Sequence, residues 1–305
     1  MGGGYASRMN PIALYLASGE SLYAGALLLF LLLVTSRRMH NRWLILVRNL
    51  LAWTGLAMVV LASPPIPVWF WLAVVIAYIC WFLSINVAKL QAHRGFRIIA
   101  AVALMACMAG LVASEFRYRF RPTLTGGPFG SLYVVGDSIS SGLEAGYPPW
   151  PSVFATNYGA TVINLSHPGI GTEEAIPLAR TVIAPDAVVL VEIGGNDLLA
   201  GLPSDDFRRH LDTLLATLSG SRRRVMMMEL PLFPHVIGYG RVQRELAAKY
   251  GVSLIPKRDF IAVLSGADAT SDGLHLSRAG TERMAVLVHD ILGASFRGAA
   301  TQVGE

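Results

Sequence analysis

Two short strings hold the residue types for nucleophilic chemistry: Gly136-Asp137-Ser138, and Asp272-Gly273-Leu274-His275 near the end of the chain. The first closes an apolar run, Leu132-Tyr133-Val134-Val135, and opens into Ile139-Ser140-Ser141-Gly142. A serine at the tip of a buried strand, followed by small residues, sits where its hydroxyl can be exposed. The second string sets an imidazole and a carboxylate three residues apart. Serine, histidine and aspartate together meet the needs of acyl transfer: a weak nucleophile, a base to take its proton, and an acid to orient the base.

Acyl transfer also needs donors aimed at the oxyanion of a tetrahedral intermediate. Two turns offer them, Asn164-Leu165-Ser166-His167-Pro168-Gly169-Ile170-Gly171-Thr172 and Val191-Glu192-Ile193-Gly194-Gly195-Asn196-Asp197. A glycine lets a backbone N–H approach closely, and an asparagine amide adds a second donor. Each such donor typically contributes ~3 kcal/mol to lowering the barrier. Gly169 and Asn196 fit, and the backbone N–H of Ser138 is the natural third.

Strand-like and helical runs alternate around these strings. The expected strands are Leu132–Val135, Thr161–Leu165, Ala187–Ile193, Val225–Leu230 and Val252–Ile255. The expected helices are Trp150–Tyr158, Glu173–Ile183, Asp205–Leu218, Val236–Tyr250 and Arg278–Leu292. Such alternation predicts a parallel sheet covered by helices on both faces, with ligands bound beyond the carboxyl ends of the strands. Ser138, Gly169 and Asn196 follow the first, second and third strands, so all three belong to that edge.

Four blocks in this order resemble the SGNH (GDSL-type) hydrolases: Gly136-Asp137-Ser138, Gly169 after Asn164-Leu165-Ser166, Gly194-Gly195-Asn196-Asp197, and Asp272-x-x-His275. The resemblance runs from Ser131 to about Leu292 and is to bacterial arylesterase, acyl-thioesterase and lysophospholipase members. It implies a three-layer, flavodoxin-like α/β domain with a five-stranded parallel sheet. It also implies Ser138 as nucleophile, His275 as general base and Asp272 as its orienting acid, with Ser138, Gly169 and Asn196 forming the oxyanion hole. The residues read alone give the same six roles. No metal or organic cofactor is expected, since there is no ligand cluster and no phosphate-cradling glycine loop.

The first third of the chain is different. Overall 53% of residues are apolar and only 15% charged, too apolar for an ordinary soluble protein, and the excess lies before Glu115. Four apolar stretches, about 12–35, 43–62, 67–87 and 98–114, have lengths near those that span a hydrocarbon core. They predict an all-α membrane domain over 1–116, then a linker (117–130), the hydrolase-like domain (131–293) and a tail (294–305). The first stretch is interrupted by Ser18-Gly19-Glu20-Ser21, and Glu20 is expected at headgroup level.

Arg37, Arg38 and Arg42 lie between the first two stretches, and Lys89, Arg94 and Arg97 between the last two, whereas Ser63-Pro64-Pro65-Ile66-Pro67 carries no charge. The positive-inside rule then puts the basic loops in the cytoplasm and the hydrolase-like domain on the periplasmic side of a bacterial inner membrane. Arg117, Arg119 and Arg121 run against that assignment. The net charge of +5 forms no stripe, so membrane topology explains it better than nucleic-acid binding. Cys80 and Cys107 both fall in apolar segments and read as packing residues.

Several residues have plainer roles. Asp137 and Asp197 are expected to hold loops by accepting backbone N–H bonds. Glu192 is expected to be a buried structural acid pointing away from the loop that ends its strand. His167 could touch substrate or be a solvated loop histidine; His210, His235 and His289 read as surface or packing residues, and Met226-Met227-Met228 as core. The expected function is a membrane-anchored serine esterase of lipids, lysolipids or acylated envelope glycans. An acyltransferase or deacetylase of an envelope polysaccharide is the alternative, and a non-catalytic scaffold ranks last.

Overall fold

The computed structural model describes residues 10–35, 41–124, 127, 129–143, 146–220, 222–266 and 268–292. Arg37 and Arg38, Thr125, Gly126 and Pro128 of the expected linker, and the expected tail lie outside these residues. Two compact units emerge, one centred on Tyr15–Arg119 and the other on Phe120–Leu232 with the chain from Gly238 onward.

The first unit is helical. α1 (Pro11–Ala17) and α2 (Ser21–Thr35) are followed by α3 (Arg42–Leu61), α4 (Val68–Asn86), the short α5 (Ala88–Ala92) and α6 (Arg94–Phe116). Three helices are long and apolar enough to cross a membrane, and four if α1 and α2 count as one bent span. The bend of 81° falls at the expected interruption, where Gly19 has a φ of 82°. Asn41 starts α3 by accepting the Trp43 N–H, and Pro67 precedes α4. Leu22, Leu29, Val59, Tyr78, Trp81 and Leu104 fill the interior of this unit. Near one end of α3 the buried Arg48 donates to Asn86 at 2.7 Å and to Asn49, tying α3 to α4 without a carboxylate.

The second unit is an α/β domain. Its strands are β1 (Leu132–Gly136), β2 (Val162–Asn164), β3 (Val188–Glu192), β4 (Arg224–Met228) and β5 (Ser253–Ile255), all parallel in the order β2-β1-β3-β4-β5. This is the flavodoxin-like order, whose chain reverses direction of winding beside β1 and β3 and leaves a crevice there. Leu132, Val134, Val188, Leu190, Met226 and Met228 point to one face, where α8 (Trp150–Tyr158), α13 (Lys257–Leu264) and α14 (Arg278–Leu292) cover them. The other face lies under α9 (Thr172–Ala179), α11 (Ser204–Leu218) and α12 (Ile237–Tyr250). The methionine run of β4 is core, as expected.

Some boundaries differ from those expected, for local reasons. β4 ends at Met228 rather than Leu230 because the Gln243 side chain takes over the ladder, accepting the Leu230 N–H at 3.0 Å and donating to the Met228 carbonyl at 3.1 Å. α9 stops at Ala179 rather than Ile183, after Pro177 has removed one of its backbone donors. In this domain three short helices are additional to those expected: α7 (Ser138–Ser141), α10 (Gly195–Leu199) and α13. The first two are single turns that begin at the catalytic-looking motifs themselves.

Candidate active site

Ser138 stands where β1 gives way to α7. Asp137 caps that turn, its Oδ1 accepting the Ile139 N–H at 3.0 Å, while its own N–H reaches the Glu192 carbonyl at 3.2 Å. α7 packs so tightly against β1 that a Cβ on Gly136 would meet Ser140 Oγ at 2.9 Å and the Glu192 carbonyl oxygen at 3.0 Å. A glycine before Asp137 is therefore a packing requirement.

The second-strand turn presents Gly169 with φ 76°, a conformation that side chains rarely adopt, and a Cβ there would meet nothing within 4 Å. The constraint on Gly169 is thus conformational rather than steric. Asp197 fastens this turn from the third-strand side: its carboxylate accepts the Thr172 N–H at 2.9 Å and the Thr172 hydroxyl at 2.9 Å. The expected loop-holding roles of Asp137 and Asp197 are both seen.

Asn196 lies in the single turn α10. Its Nδ2 donates to the Ile170 carbonyl at 2.9 Å and to Asp137 Oδ2 at 3.2 Å, so the second and third turns and the Asp137 cap share one amide. Across the edge, Asp272 Oδ1 accepts the backbone N–H groups of Leu274 and His275 at 2.9 and 2.8 Å, and Asp272 Oδ2 lies 2.6 Å from His275 Nδ1. The His275 backbone N–H, the His275 ring and the Leu274 N–H together hold the Asp272 carboxyl well below the usual carboxylate range. Burial lifts the Asp137 carboxyl above its ordinary range, and a positive charge on His275 acts against that shift.

A cavity of about 160 Å³ opens beside Ser138, with Asn196 also in its wall. Ile139, Leu198, Leu230, Phe260, Leu264 and Leu274 make most of its surface apolar. Leu199 and Leu274, both exposed, border it. α13, absent from the sequence reading, supplies Phe260 and Leu264; its signal was an apolar i, i+3, i+4 spacing directly after Pro256.

Glu192 departs from its expected orientation. It is buried, and rather than facing away from the site it lines the same cavity as Ser138: Ser140 Oγ donates to its Oε2 at 2.9 Å, and Trp150 Nε1 donates to Ser140 Oγ at 3.1 Å. Burial first, and then the neighbouring Asp137 charge, lift the Glu192 carboxyl well above its ordinary range. The remaining histidines have other surroundings, although the His167 backbone N–H bonds to the Gly136 carbonyl at 3.2 Å on this same edge. His289 stacks on Tyr158 at 3.9 Å, and His167 is exposed with Nδ1 3.1 Å from the Leu165 carbonyl oxygen. His210 on α11 lies 3.7 Å from the Glu173 carboxylate.

An α/β domain with a strand-end serine, an Asp–His pair and an apolar cavity at one sheet edge belongs to the hydrolase class. The profile of the GDSL-like lipase/acylhydrolase family matches residues 134–283, and this part of the chain is a GDSL/SGNH hydrolase domain, of the class that cleaves ester bonds. Similar proteins include the esterase TesA of Pseudomonas aeruginosa, 25% identical over 170 residues that make up 50% of this chain and 83% of that protein. An arylesterase of Vibrio mimicus is 29% identical over 142 residues, 41% of this chain and 69% of that protein. Thioesterase 1/protease 1/lysophospholipase L1 of Escherichia coli is 25% identical over 161 residues, 48% and 76% respectively. The crystal structure of TesA superposes with a TM-score of 0.47 at 24% identity, covering 54% of this chain and 99% of that one.

Proposed function

We propose that the protein is a membrane-anchored serine esterase in which Ser138 attacks the ester carbonyl, His275 takes its proton, and Asp272 fixes the imidazole. The observation that carries this reading is the 2.6 Å Asp272–His275 contact on the same edge as a serine that lines an apolar cavity. With Nδ1 facing Asp272, the other ring nitrogen is left to exchange the proton with Ser138 and then with the leaving alkoxide. Water resolves the acyl-enzyme.

The Ser138 and Gly169 N–H groups and the Asn196 amide supply the oxyanion donors in this reading. Both Nδ2 hydrogens of Asn196 already have protein acceptors, at 3.2 and 2.9 Å. The weaker bond, to Asp137, is the one exchanged for the oxyanion as negative charge develops. That exchange makes the donor stronger in the transition state than in the resting enzyme, which is what accelerates the chemical step.

The cavity supports a short acyl chain. At about 160 Å³, with Leu, Ile and Phe walls, it compares with apolar cavities that hold one benzene, or about six carbon atoms. The relatives' names cover aryl esters, thioesters and lysophospholipids. For this chain the size favours acetyl to hexanoyl esters of lipids, lysolipids or envelope glycans. The same size keeps the second reading alive: a deacetylase or acyltransferase of an acylated envelope polysaccharide also needs only a short acyl pocket.

The apolar helices anchor the enzyme as a multi-pass inner-membrane protein with its hydrolase domain on the periplasmic side. The three arginines that opposed this orientation have structural partners. Arg119 pairs with Glu20 at 2.8 Å, Arg121 with Asp259 at 3.3 Å and Asp290 at 3.1 Å, and Arg117 lies over the Tyr118 ring. Treating the protein with a p-nitrophenyl alkylphosphonate and mapping the adduct by mass spectrometry tests the assignment. A stoichiometric adduct on Ser138 is expected; an adduct on another residue refutes it.

A further inference from the structure

We infer that Glu192 is a positioning residue for this centre: its carboxyl group, buried between Asp137 and Ser140, donates to Asp137 and so fixes Asp137 as the acceptor that aims the Asn196 amide beside Ser138. The inference rests on the reading of Ser138 and Asn196 given above.

The arrangement is built from backbone pairing outward. Gly136 and Glu192 are register partners across β1 and β3, and the Asp137 N–H bonds to the Glu192 carbonyl at 3.2 Å. The two acids are thereby brought together inside the domain, each about 4% exposed. Their carboxyl groups act directly on each other and burial lifts both above the ordinary range, which favours a pair that holds one proton between them. The surroundings decide which acid keeps it.

Burial lifts the Asp137 carboxyl too, but Asp137 is the better anion of the two: it accepts the Ile139 N–H, receives the Asn196 amide and feels a charge on His275, opposed by Asp197. Glu192 has the Ser140 hydroxyl, itself held by the Trp150 indole, against burial and the Asp137 charge, which lift its carboxyl well above the ordinary range. The proton therefore resides on Glu192, whose O–H donates to Asp137. A neutral carboxylic acid kept as a hydrogen-bond donor at neutral pH is an established use of burial. Here it leaves Asp137 with one fixed orientation and a single negative charge, close to where imidazolium forms.

The test compares full-length wild type, Ser138→Ala, Glu192→Gln and Glu192→Leu in detergent, with p-nitrophenyl butyrate as the probe. Glu192→Gln keeps a donor for Asp137 and an acceptor for Ser140, and is expected to retain kcat within about threefold, whereas Glu192→Leu should lose about 30-fold or more in kcat with little change in KM. Wild-type kcat should fall at alkaline pH as the Glu192 proton leaves, and Glu192→Gln should lack that limb. Infrared difference spectra of wild type minus Glu192→Gln at pH 7 should contain the carbonyl band of a protonated carboxylic acid. Absence of that band overturns the proposal even if Glu192→Leu does not fold. Wild-type kcat in a folded Glu192→Leu, with Ser138→Ala inactive, overturns it too. Full activity in Ser138→Ala would instead defeat the reading of the site on which it rests.

Discussion

Helices α4 and α11 are built on opposite rules. α11 buries Phe207, Leu211, Leu214, Leu215 and Leu218 along one stripe and turns its acidic and basic residues outward, the pattern of a helix between a core and water. α4 is apolar on all sides, with Val68, Trp69, Leu72, Ile76 and Ile79 exposed and Val74, Tyr78 and Trp81 inside. Apolar residues on an exposed face, repeated in three helices long enough to cross a membrane, are the pattern that supports the membrane anchoring proposed above. The chemistry segregates in the same way. Every residue assigned to ester cleavage lies in the α/β domain, while Arg48, Glu20 and Arg119 make polar ties within the helical unit.

This contrast can be broken by mutation, most severely at the site. His275→Ala should lower kcat by about 10⁴ or more without unfolding the protein, since it removes the base but no core contact; circular dichroism alongside esterase kinetics checks both halves. Next in size is packing. Leu214, fully buried, should cost ~2–5 kcal/mol of domain stability as Leu214→Ala. Leu72→Ala on the outer face of α4 should stay within ~0.5 kcal/mol, because its side chain touches little protein. Thermal unfolding of the two variants in detergent measures the difference, and equal losses would erase the distinction between the helices.

Protons sharpen the comparison within the α/β domain. Glu192 has a raised folded-state value, so the native state binds more protons than the unfolded chain from about pH 4.3 upward, and stability falls as pH rises through that window. Glu192→Gln should flatten that slope in urea unfolding across pH 5–8. Asp272 acts oppositely: its depressed value contributes stability above about pH 3.9 that is lost on acidification below it. The smallest expected effect is that of removing the helices. A chain starting at Thr123 should be soluble and keep kcat/KM within about threefold on a soluble ester, as an independently folding domain does. A large loss in a folded truncate would mean that the helical unit takes part in binding.

Much of this was readable from residues alone. α8 and α14 match their expected limits because their boundaries are chemically marked, α8 by Pro149 before it and Gly159 at φ 63° after it. The first three motif blocks follow β1, β2 and β3 as expected, whereas the fourth, Asp272 to His275, lies in the loop between α13 and α14 rather than at a strand end. What escaped the sequence was whatever depends on distant partners. Glu20 and Arg119 are 99 residues apart, and nothing local announces their bond. Glu192 looked like a strand residue facing away from the site, since alternation describes a face but not how far a long side chain reaches around a strand end. α13 was missed because eight residues offer too few periods to stand out beside the motif that follows.

Ester cleavage by the Ser138 centre is the property on which every role assigned above depends. The direct measurement is hydrolysis of p-nitrophenyl esters from acetate to palmitate by the detergent-purified full-length protein, beside Ser138→Ala. The expected result is turnover that peaks between acetate and hexanoate, falls steeply beyond about eight carbons as the cavity is outgrown, and vanishes in the variant. Comparable turnover in Ser138→Ala, or a folded wild type that cleaves none of the series, would contradict it.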